Sequence, residues 1–163
     1  MKKNLTAYTA AFVLLVLSFI TSTAAAGSRT LTDMNGRTVT VPDKIRSVAP
    51  LGSALRFLVY MQSLDLVKGM ERVEQKRIVA GRLYGLATVD IAPKLPIIGE
   101  GGAGGRLPNF EKVIEVWPDV IITMGQDTTQ VKNIQEKTGI PVYSLNYGTP
   151  VSYTHLTLPT TGH

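Results

Sequence analysis

The feature that most constrains the fold is the alternation of short apolar strands with amphipathic helical segments across residues 29–148. In the best-defined unit, Asn109 begins a helix, Pro118 ends it, and an apolar run follows at residues 119–124. Such a run is typical of a strand that is covered on both faces. Strands that alternate with helices pair in parallel through right-handed crossovers. The sequence therefore predicts an α/β fold with a parallel sheet flanked by helices.

A β-hairpin is predicted ahead of these units. Residues 29–42 alternate between polar and apolar on both sides of Asn35 and Gly36, a dipeptide that favours positive φ in tight turns. Further strands are expected at residues 45–51, 66–70, 95–99 and 142–146. We expect residues 71–94 to form a loop with one short helix, because glycines and a proline interrupt any long period.

Three helices are predicted between these strands. Ser53 is expected to cap the first helix, whose inward residues recur at helical spacing: Leu55, Leu58 and Met61. Asn109 is expected to cap the second, with one buried stripe formed by Phe110, Val113, Ile114 and Trp117. The third covers residues 128–138, and Gly139 stands where a glycine commonly ends a helix.

Residues 1–26 are predicted to be a secretory signal peptide. Lys2 and Lys3 form a basic start, residues 10–20 are apolar, and Ala24 and Ala26 fit an A-x-A cleavage site. The alternative is an uncleaved anchor, although this run is shorter than the roughly 20 residues that span a bilayer. The chain has no cysteine, which excludes disulfides, a lipidated cysteine and Cys–zinc sites. We expect a periplasmic protein.

The charge of the chain does not indicate nucleic-acid binding. Of 17 basic residues, Lys2 and Lys3 leave with the signal peptide, so 15 remain against 12 acidic residues, a net charge of +3. Nucleic-acid binding would require a concentrated basic face with interleaved aromatic residues. Residues 27–150 are therefore expected to form one globular lobe.

The last segment, residues 151–163, breaks the pattern. It contains no Asp, Glu, Lys or Arg, and it holds both histidines of the chain, His155 and His163. Its letters SYTHLTLPT resemble translated sequencing-adapter read-through, so we expect a sequencing artefact; the alternative is a genuine polar extension. In either case these histidines support no metal site and no catalytic dyad.

An enzyme is poorly supported. Residues 99–104 satisfy the G-x-G-x-x-G pattern of dinucleotide-binding loops, with Asp119 twenty residues after Gly99. However, Arg106, Leu107 and Pro108 intervene between the glycine-rich run and the helix start at Asn109, and Asp119 begins its strand rather than ending it. No Ser/His/Asp or Cys/His set lies outside the tail. We expect no enzyme activity and no cofactor; an exported nucleotide-dependent enzyme that uses the glycine loop remains an alternative.

Several residues are candidates for binding an anionic ligand. Arg106 precedes a helix N-terminus, where free N–H groups and a guanidinium together suit an anion. Arg72 and Arg82 belong to the most basic stretch of the mature chain, with five basic and two acidic residues. Tyr84 either forms an aromatic wall beside them or packs in the core. The alternative for each arginine is an ordinary solvated loop position.

An ordered set of motifs resembles the periplasmic binding proteins for ferric siderophores, haem and vitamin B12, which serve ABC importers. The motifs are VTVP after the hairpin, IRSVAPLG, LPIIGxGG, RLPNFE, PDVIIT and KTGIPVY. The resemblance covers residues 29–147 and implies a Rossmann-like N-terminal lobe. In that family a long helix joins two such lobes around the ligand. The linking helix and the second lobe are missing from this chain.

The resemblance also implies roles for single residues. Arg106 matches a ligand-contacting arginine, with a spacing that differs by one residue, and Glu111 matches a glutamate that docks on the permease. The loops at residues 50–53 and 125–127 line the family's cleft, which makes Ser53 and Gln126 candidate ligand residues. The implied function is capture of a ferric siderophore, haem or cobalamin, by a monomer when full length, and delivery to an ABC permease. A molybdate or tungstate oxyanion is the alternative ligand.

Overall fold

The computed structural model describes residues 27–76, 78, 81–102 and 106–146. The predicted signal peptide, residues 1–26, and the predicted tail, residues 151–163, lie outside the described residues, so both stay predictions.

The N-terminal hairpin is confirmed. Strands β1 (Ser28–Thr32) and β2 (Thr38–Pro42) pair antiparallel, and Gly36 takes a φ of 75° in the turn. The Asp33 carboxylate closes this turn, accepting hydrogen bonds from the backbone N–H of Asn35 at 3.0 Å and of Arg37 at 2.8 Å. The Arg37 guanidinium binds the same carboxylate and donates to the carbonyl of Val142 at 2.6 Å. The hairpin is thereby attached to the main sheet.

The main sheet is parallel, as predicted. Its strands are β3 (Val48–Leu51), β4 (Met70–Glu71), β5 (Ile97–Gly99), β6 (Val120–Met124) and β7 (Val142–Leu145). β6 pairs with β3 on one side and with β7 on the other, β4 pairs with β5, and a parallel bridge between Val48 and Val67 joins the two groups. The spatial order is therefore β5-β4-β3-β6-β7.

This strand order creates a topological switch point. From β3 the chain moves outward to β4 and β5, then returns to place β6 on the opposite side of β3. Loops that leave β3 and β6 therefore diverge from neighbouring positions at the carboxyl edge of the sheet. In open α/β folds this divergence opens the crevice in which ligands bind.

Two apolar cores cover the two faces of the sheet. Val48 and Val120 point into one core, which also contains β2, and their neighbours Ala49 and Ile121 point into the other. The helices are α1 (Leu55–Tyr60), α2 (Arg72–Lys76), α3 (Leu83–Leu86), α4 (Phe110–Val116) and α5 (Thr128–Thr138). Helices α1 and α3 contact each other, whereas α4 and α5 pack together.

Two of the predicted helix ends are confirmed and one is wrong. The Asn109 side chain accepts from the N–H of Lys112 at 3.1 Å, and Gly139 ends α5 with a φ of 70°. Ser53 is not the cap of α1, because Ala54 occupies that position and no side chain bonds to the helix start. Ser53 instead has a φ of 72° and turns the chain out of β3.

The predicted buried stripe of α4 needs correction. Val113 is buried, but Ile114 is 40 % exposed and Trp117 is 64 % exposed. The helix ends at Val116, and Trp117 takes a left-handed conformation that removes its side chain from the helical period. Val116 packs on the core instead, so the inward face is rotated away from Ile114. Met61 is likewise exposed, since it lies just beyond the end of α1.

The prediction for residues 71–94 was too simple. They contain two short helices, α2 and α3, and a 3-10 turn at Ala92–Lys94. The strand expected at residues 66–70 is reduced to the single bridge at Val67 and the short β4. Elements this short carry too few periodic residues for a sequence pattern to define them.

Candidate functional site

The candidate site lies along the carboxyl edge of the parallel sheet. Ser53 follows β3, Arg72 follows β4, Glu100 follows β5, and Gln126 follows β6 after one glycine. Because the strands are parallel, their carboxyl ends share one edge, and the loop residues after them are brought together there. The edge therefore collects most of the polar side chains that the sequence singled out.

The switch point itself is built by close backbone packing. Gly52 has a φ of 60°, and a Cβ at this position would clash with the Met124 carbonyl at the end of β6. Gln126 is 4 % exposed, and its Oε1 has no hydrogen-bond partner among the described residues. Its backbone carbonyl accepts from Nδ2 of Asn35 at 3.2 Å. The hairpin tip thus supports the loop that follows β6.

A first open cavity, of about 450 Å³, lies beside Ser53, and we call it the tyrosine cavity. Its lining is made of Ser53, Arg56, Tyr60, Gly81, Arg82, Leu83 and Tyr84. Two arginines and two tyrosines give it cationic groups and aromatic walls, a combination that suits a bulky anionic ligand with flat surfaces.

A short hydrogen-bond chain orders one wall of the tyrosine cavity. Arg82 donates to the phenol oxygen of Tyr84 at 3.0 Å, and that phenol donates to the buried carboxylate of Glu74 at 2.9 Å. Burial raises the pKa of Tyr84 above its usual value, and the hydrogen bond to Glu74 raises it further. Tyr84 therefore stays protonated at neutral pH and keeps its donor. It lines the cavity rather than packing in the core.

A second open cavity, of about 460 Å³, lies at the β5 side of the edge, and we call it the arginine cavity. Arg72 pairs with Glu100 at 2.8 Å across it, with 44 % and 61 % of the two side chains exposed. The hydrogen bond from Arg72 lowers the pKa of Glu100, and the charges of Arg72, Lys76 and Arg106 lower it further. Three cations thus surround one carboxylate, which leaves an excess of positive charge.

The six predicted ligand residues fall into three groups. Ser53, Arg82 and Tyr84 meet in the tyrosine cavity, while Arg72 and Arg106 meet in the arginine cavity. Gln126 borders the switch point and lines neither cavity. The sequence analysis named all six as ligand-binding candidates without dividing them, so the separation into two cavities is new information from the fold.

Glu71 is a site residue that the sequence analysis did not single out. It is 3 % exposed at the end of β4, and its Oε2 accepts from the N–H of Gly52 at 3.0 Å. Burial raises its pKa to about 7, and the nearby Glu74 also raises it, against the lowering effect of hydrogen bonds from Gly52 and Ser53. Its position directly after the strand predicted at residues 66–70 was the signal that could have found it.

Glu111 lies in the first turn of α4 and is exposed. It lines neither cavity, and its carboxylate complements the partial positive charge of the helix N-terminus. An exposed acid on a short helix beside the arginine cavity is accessible to a partner protein.

The position of Asp119 does not fit the dinucleotide-binding interpretation, which requires an acidic residue near the glycine loop. Asp119 lies at the amino end of β6, and its carboxylate accepts from the backbone N–H of Arg46 at 2.7 Å and of Ser47 at 3.0 Å. Gly99 and the glycine loop lie at the opposite, carboxyl edge. Asp119 therefore ties β6 to the segment before β3 and is not available to a ribose at that edge.

Within the described ranges, none of the helices combines the length and the apolar character needed to cross a bilayer. The same residues hold no cluster of three or more acidic or histidine side chains that could bind a metal ion.

No protein-family model matches the sequence, and no curated protein does. Solved structures with this fold are periplasmic solute-binding proteins of ABC transporters. The molybdate-bound periplasmic binding protein MolA of Haemophilus influenzae superposes with a TM-score of 0.59 at 19% identity, over 72% of this chain and 34% of its own. A periplasmic solute-binding protein of Veillonella parvula gives 0.59 at 21% identity, over 76% and 36%.

CeuE of Helicobacter pylori, in a nickel–histidine complex, gives a TM-score of 0.57 at 17% identity, over 74% of this chain and 37% of its own. This chain has the fold of periplasmic solute-binding proteins of ABC transporters, with a Rossmann-like α/β lobe. It spans about a third of the length of these proteins, 34% to 37% in the three comparisons.

Proposed function

We propose that this chain is the N-terminal lobe of the substrate-binding component of an ABC importer. The protein captures a ferric siderophore or a related metal complex in the periplasm and delivers it to the permease. The observation that carries this proposal is the pair of arginine-bearing cavities along the carboxyl edge of a solute-binding fold. This edge is where open α/β sheets bind ligands.

The chemistry is capture and release, with no bond made or broken. Arg82 and the tyrosine walls hold a flat, electron-rich part of the complex, and Arg72 and Arg106 attract its negative charge. Glu100 occupies the arginine cavity and is the group that an incoming anion displaces from Arg72. The family resemblance implies that a second lobe of the full-length protein closes over the same edge.

A molybdate or tungstate oxyanion is the second candidate ligand. The arginine cavity has several cations and no aromatic side chain in its lining, which suits a small, compact anion better than a flat chelate. MolA, which has the same fold, was solved with molybdate bound. The two candidates differ in the cavity they use.

The test is thermal melting of the protein expressed from its complete gene, with ferrichrome, haem, cyanocobalamin and molybdate as separate probes. A probe present at 100 times its dissociation constant stabilises the folded protein by about 2.7 kcal/mol, so a specific ligand raises the melting temperature visibly. The absence of any shift with all four probes would contradict the proposal.

Variants assign the ligand to a cavity. A chelate held in the tyrosine cavity loses its melting shift in Arg82→Ala, whereas an oxyanion loses it in Arg72→Ala combined with Arg106→Ala. Lys132→Ala is the matched control, since Lys132 is an exposed cation on α5 that lines neither cavity. An equal loss in the control would show a nonspecific charge effect.

We further propose that Glu111 contacts a cation on the permease. Glu111→Ala should keep the ligand-induced melting shift and weaken binding to the detergent-solubilised permease, measured by surface plasmon resonance. Glu115→Ala is the control, because Glu115 is an exposed acid one turn further along α4 that already pairs with Lys112 at 2.7 Å. Equal weakening in both variants would contradict a specific role for Glu111.

A further inference from the structure

The carboxyl group of Glu71 joins two loops of the candidate site. Its Oε2 accepts from the N–H of Gly52 at 3.0 Å, in the loop between β3 and α1. On the other side, a Cβ added at Gly101 would lie within 2.8 Å of the Glu71 side chain. The carboxyl is therefore packed between the loop that carries Ser53 and the loop that leads to the arginine cavity. Neither loop can shift without changing this contact.

The bond to Gly52 depends on the charge of Glu71. A carboxylate accepts an N–H about twice as strongly as a neutral acid does, so ionisation strengthens the hold on the loop. The backbone N–H groups of Gly52 and Ser53 both favour the ionised form of Glu71. Burial has the opposite effect, because it disfavours the charged form of Glu71. These effects oppose each other at a single group, which therefore gains or loses its proton near neutral pH.

The charged surroundings are defined on each side. From α2, Glu74 is the like charge that faces Glu71, and Tyr84 and Arg82 contact Glu74 from the α3 segment. From the β5 side, Glu100 is neutralised by Arg72. The Gly52–Ser53 loop offers only backbone N–H groups to the carboxyl, and on α1 the Arg56 guanidinium donates to the sulfur of Met124. Among these described groups, Glu74 is the one whose negative charge opposes ionisation of Glu71.

We propose that Glu71 is a proton-responsive positioning residue, which tightens the Gly52–Ser53 loop when it is ionised and loosens it when it is protonated. Ser53 lines the tyrosine cavity, so the proton on Glu71 adjusts one wall of that cavity. The consequence for ligand capture rests on the proposed function, whereas the coupling between the carboxyl and the loop does not.

The experiment follows the Gly52 amide by NMR in the full chain without ligand. Leu51–Gly52 is the single Leu–Gly step in the sequence, so labelling leucine with ¹³C at the carbonyl and glycine with ¹⁵N gives one correlation for Gly52. Between pH 5 and 9 its amide proton should move downfield as pH rises, with a midpoint near the pKa of Glu71, about 7. The Asn35–Gly36 step is also unique and serves as control, because Gly36 donates to the backbone carbonyl of Asp33 and not to Glu71.

Two variants separate the proposal from a general pH effect. Glu71→Gln keeps an acceptor for Gly52 and removes the proton, so the Gly52 titration should vanish. Glu74→Gln removes the opposing charge, so the midpoint should fall. A flat Gly52 signal in the wild type, or a titration that survives in Glu71→Gln, would overturn the proposal. If Glu71→Gln does not fold, the proposal is tested by whether Gly52 titrates in the wild type and by whether the midpoint falls in Glu74→Gln.

This test is independent of the ligand. A normal Gly52 titration together with no melting shift from ferrichrome, haem, cyanocobalamin or molybdate would leave the coupling in place and remove the proposed function. A melting shift with one of the probes together with a flat Gly52 signal would support the proposed function and contradict the coupling.

Discussion

At the scale of single residues, Asp33 and Arg37 form the most buried of the ion pairs that the structure describes. Their side chains are 0% and 13% exposed, and two guanidinium nitrogens bind one carboxylate oxygen, at 2.8 and 2.9 Å. The same carboxylate holds two backbone N–H groups of the turn. Loss of the acid would remove the counter-ion of a largely buried guanidinium, which would keep its bond to the Val142 carbonyl, and it would remove the acceptor of two partly buried backbone N–H groups.

Asp33→Ala should therefore destabilise the protein by about 3 kcal/mol or more, since breaking a buried pair from one side leaves an uncompensated charge. Urea unfolding followed by circular dichroism measures the loss. Glu115→Ala is the control, because the exposed Lys112–Glu115 pair should contribute well below about 1 kcal/mol. Similar losses in the two variants would contradict the buried-pair argument.

Glu71 makes stability depend on pH in a direction unusual for a carboxyl group. Its pKa rises from 4.5 when unfolded to about 7 when folded, so the folded state holds the proton more tightly. The stability that this group contributes is complete below pH 4.5 and is lost as pH rises towards 7. Above pH 7 the ionised group costs about 3 kcal/mol relative to its unfolded state.

Glu71→Gln should remove that cost. We expect the variant to be more stable than the wild type at pH 8 and nearly equal to it at pH 4.5, measured by urea unfolding at both values. Parallel pH profiles for the two proteins would show that Glu71 ionises normally in the folded state.

At the scale of elements, the two longer helices end in contrasting ways. Gly139 follows α5 in the left-handed conformation that glycine adopts without strain, whereas Trp117 follows α4 with a φ of 45°. The left-handed conformation costs a residue with a Cβ roughly 1–2 kcal/mol. The Trp117 side chain is largely exposed, so little packing offsets this cost.

Trp117→Gly should therefore stabilise the protein by about 1 kcal/mol, measured by thermal unfolding with circular dichroism. Gly139→Ala is the matched opposite change and should destabilise by about the same amount. A loss of stability in Trp117→Gly would reveal a packing role for the indole that the described contacts do not contain.

Sequence patterns predicted the elements well where each had its own local signal. Asn109 before α4, Gly139 after α5 and the Asn35–Gly36 turn are chemical signals within a few residues of the feature they mark. The prediction that Ser53 caps α1 was wrong, because a serine in the left-handed conformation after a strand has the same sequence pattern as a helix cap. The prediction for residues 71–94 was incomplete because each short helix there has fewer than two turns, too few for a recognisable period.

At the scale of the whole molecule, the join between β3 and β6 holds the two halves of the sheet together at the site. Gly52→Ala would force a Cβ against the Met124 carbonyl in a backbone conformation with a φ of 60°. Backbone on both sides cannot move aside cheaply, so we expect a loss of roughly 3 kcal/mol or more.

Gly36→Ala is the control for that change. Gly36 also has positive φ, at 75°, but no atom lies within 4 Å of the added Cβ, so only about 1–2 kcal/mol should be lost. Chemical denaturation of both variants measures the difference. Equal losses would mean that backbone conformation alone, and not the close approach of β3 to β6, makes Gly52 necessary.

The sequence alone predicted the fold class, because strand–helix alternation dictates a parallel sheet. It could not predict the division into two cavities. That division depends on the order β5-β4-β3-β6-β7, which sets how far Arg72 and Arg82 lie from each other along the edge. Periodicity carries no information on lateral order, and the buried environment of Glu71 follows from the same order.

The attachment of the hairpin has a consequence for how the chain folds. Arg37 bonds to Val142, and Asn35 to Ser144, contacts that join residues 105 and 109 positions apart. Because the hairpin is the first described element and β7 is the last, the hairpin cannot complete these docking contacts until β7 has formed. Loop closure over such distances is slow, and folding rates fall as contacts become more distant in sequence. We therefore expect the docking of the hairpin to be a late step in folding.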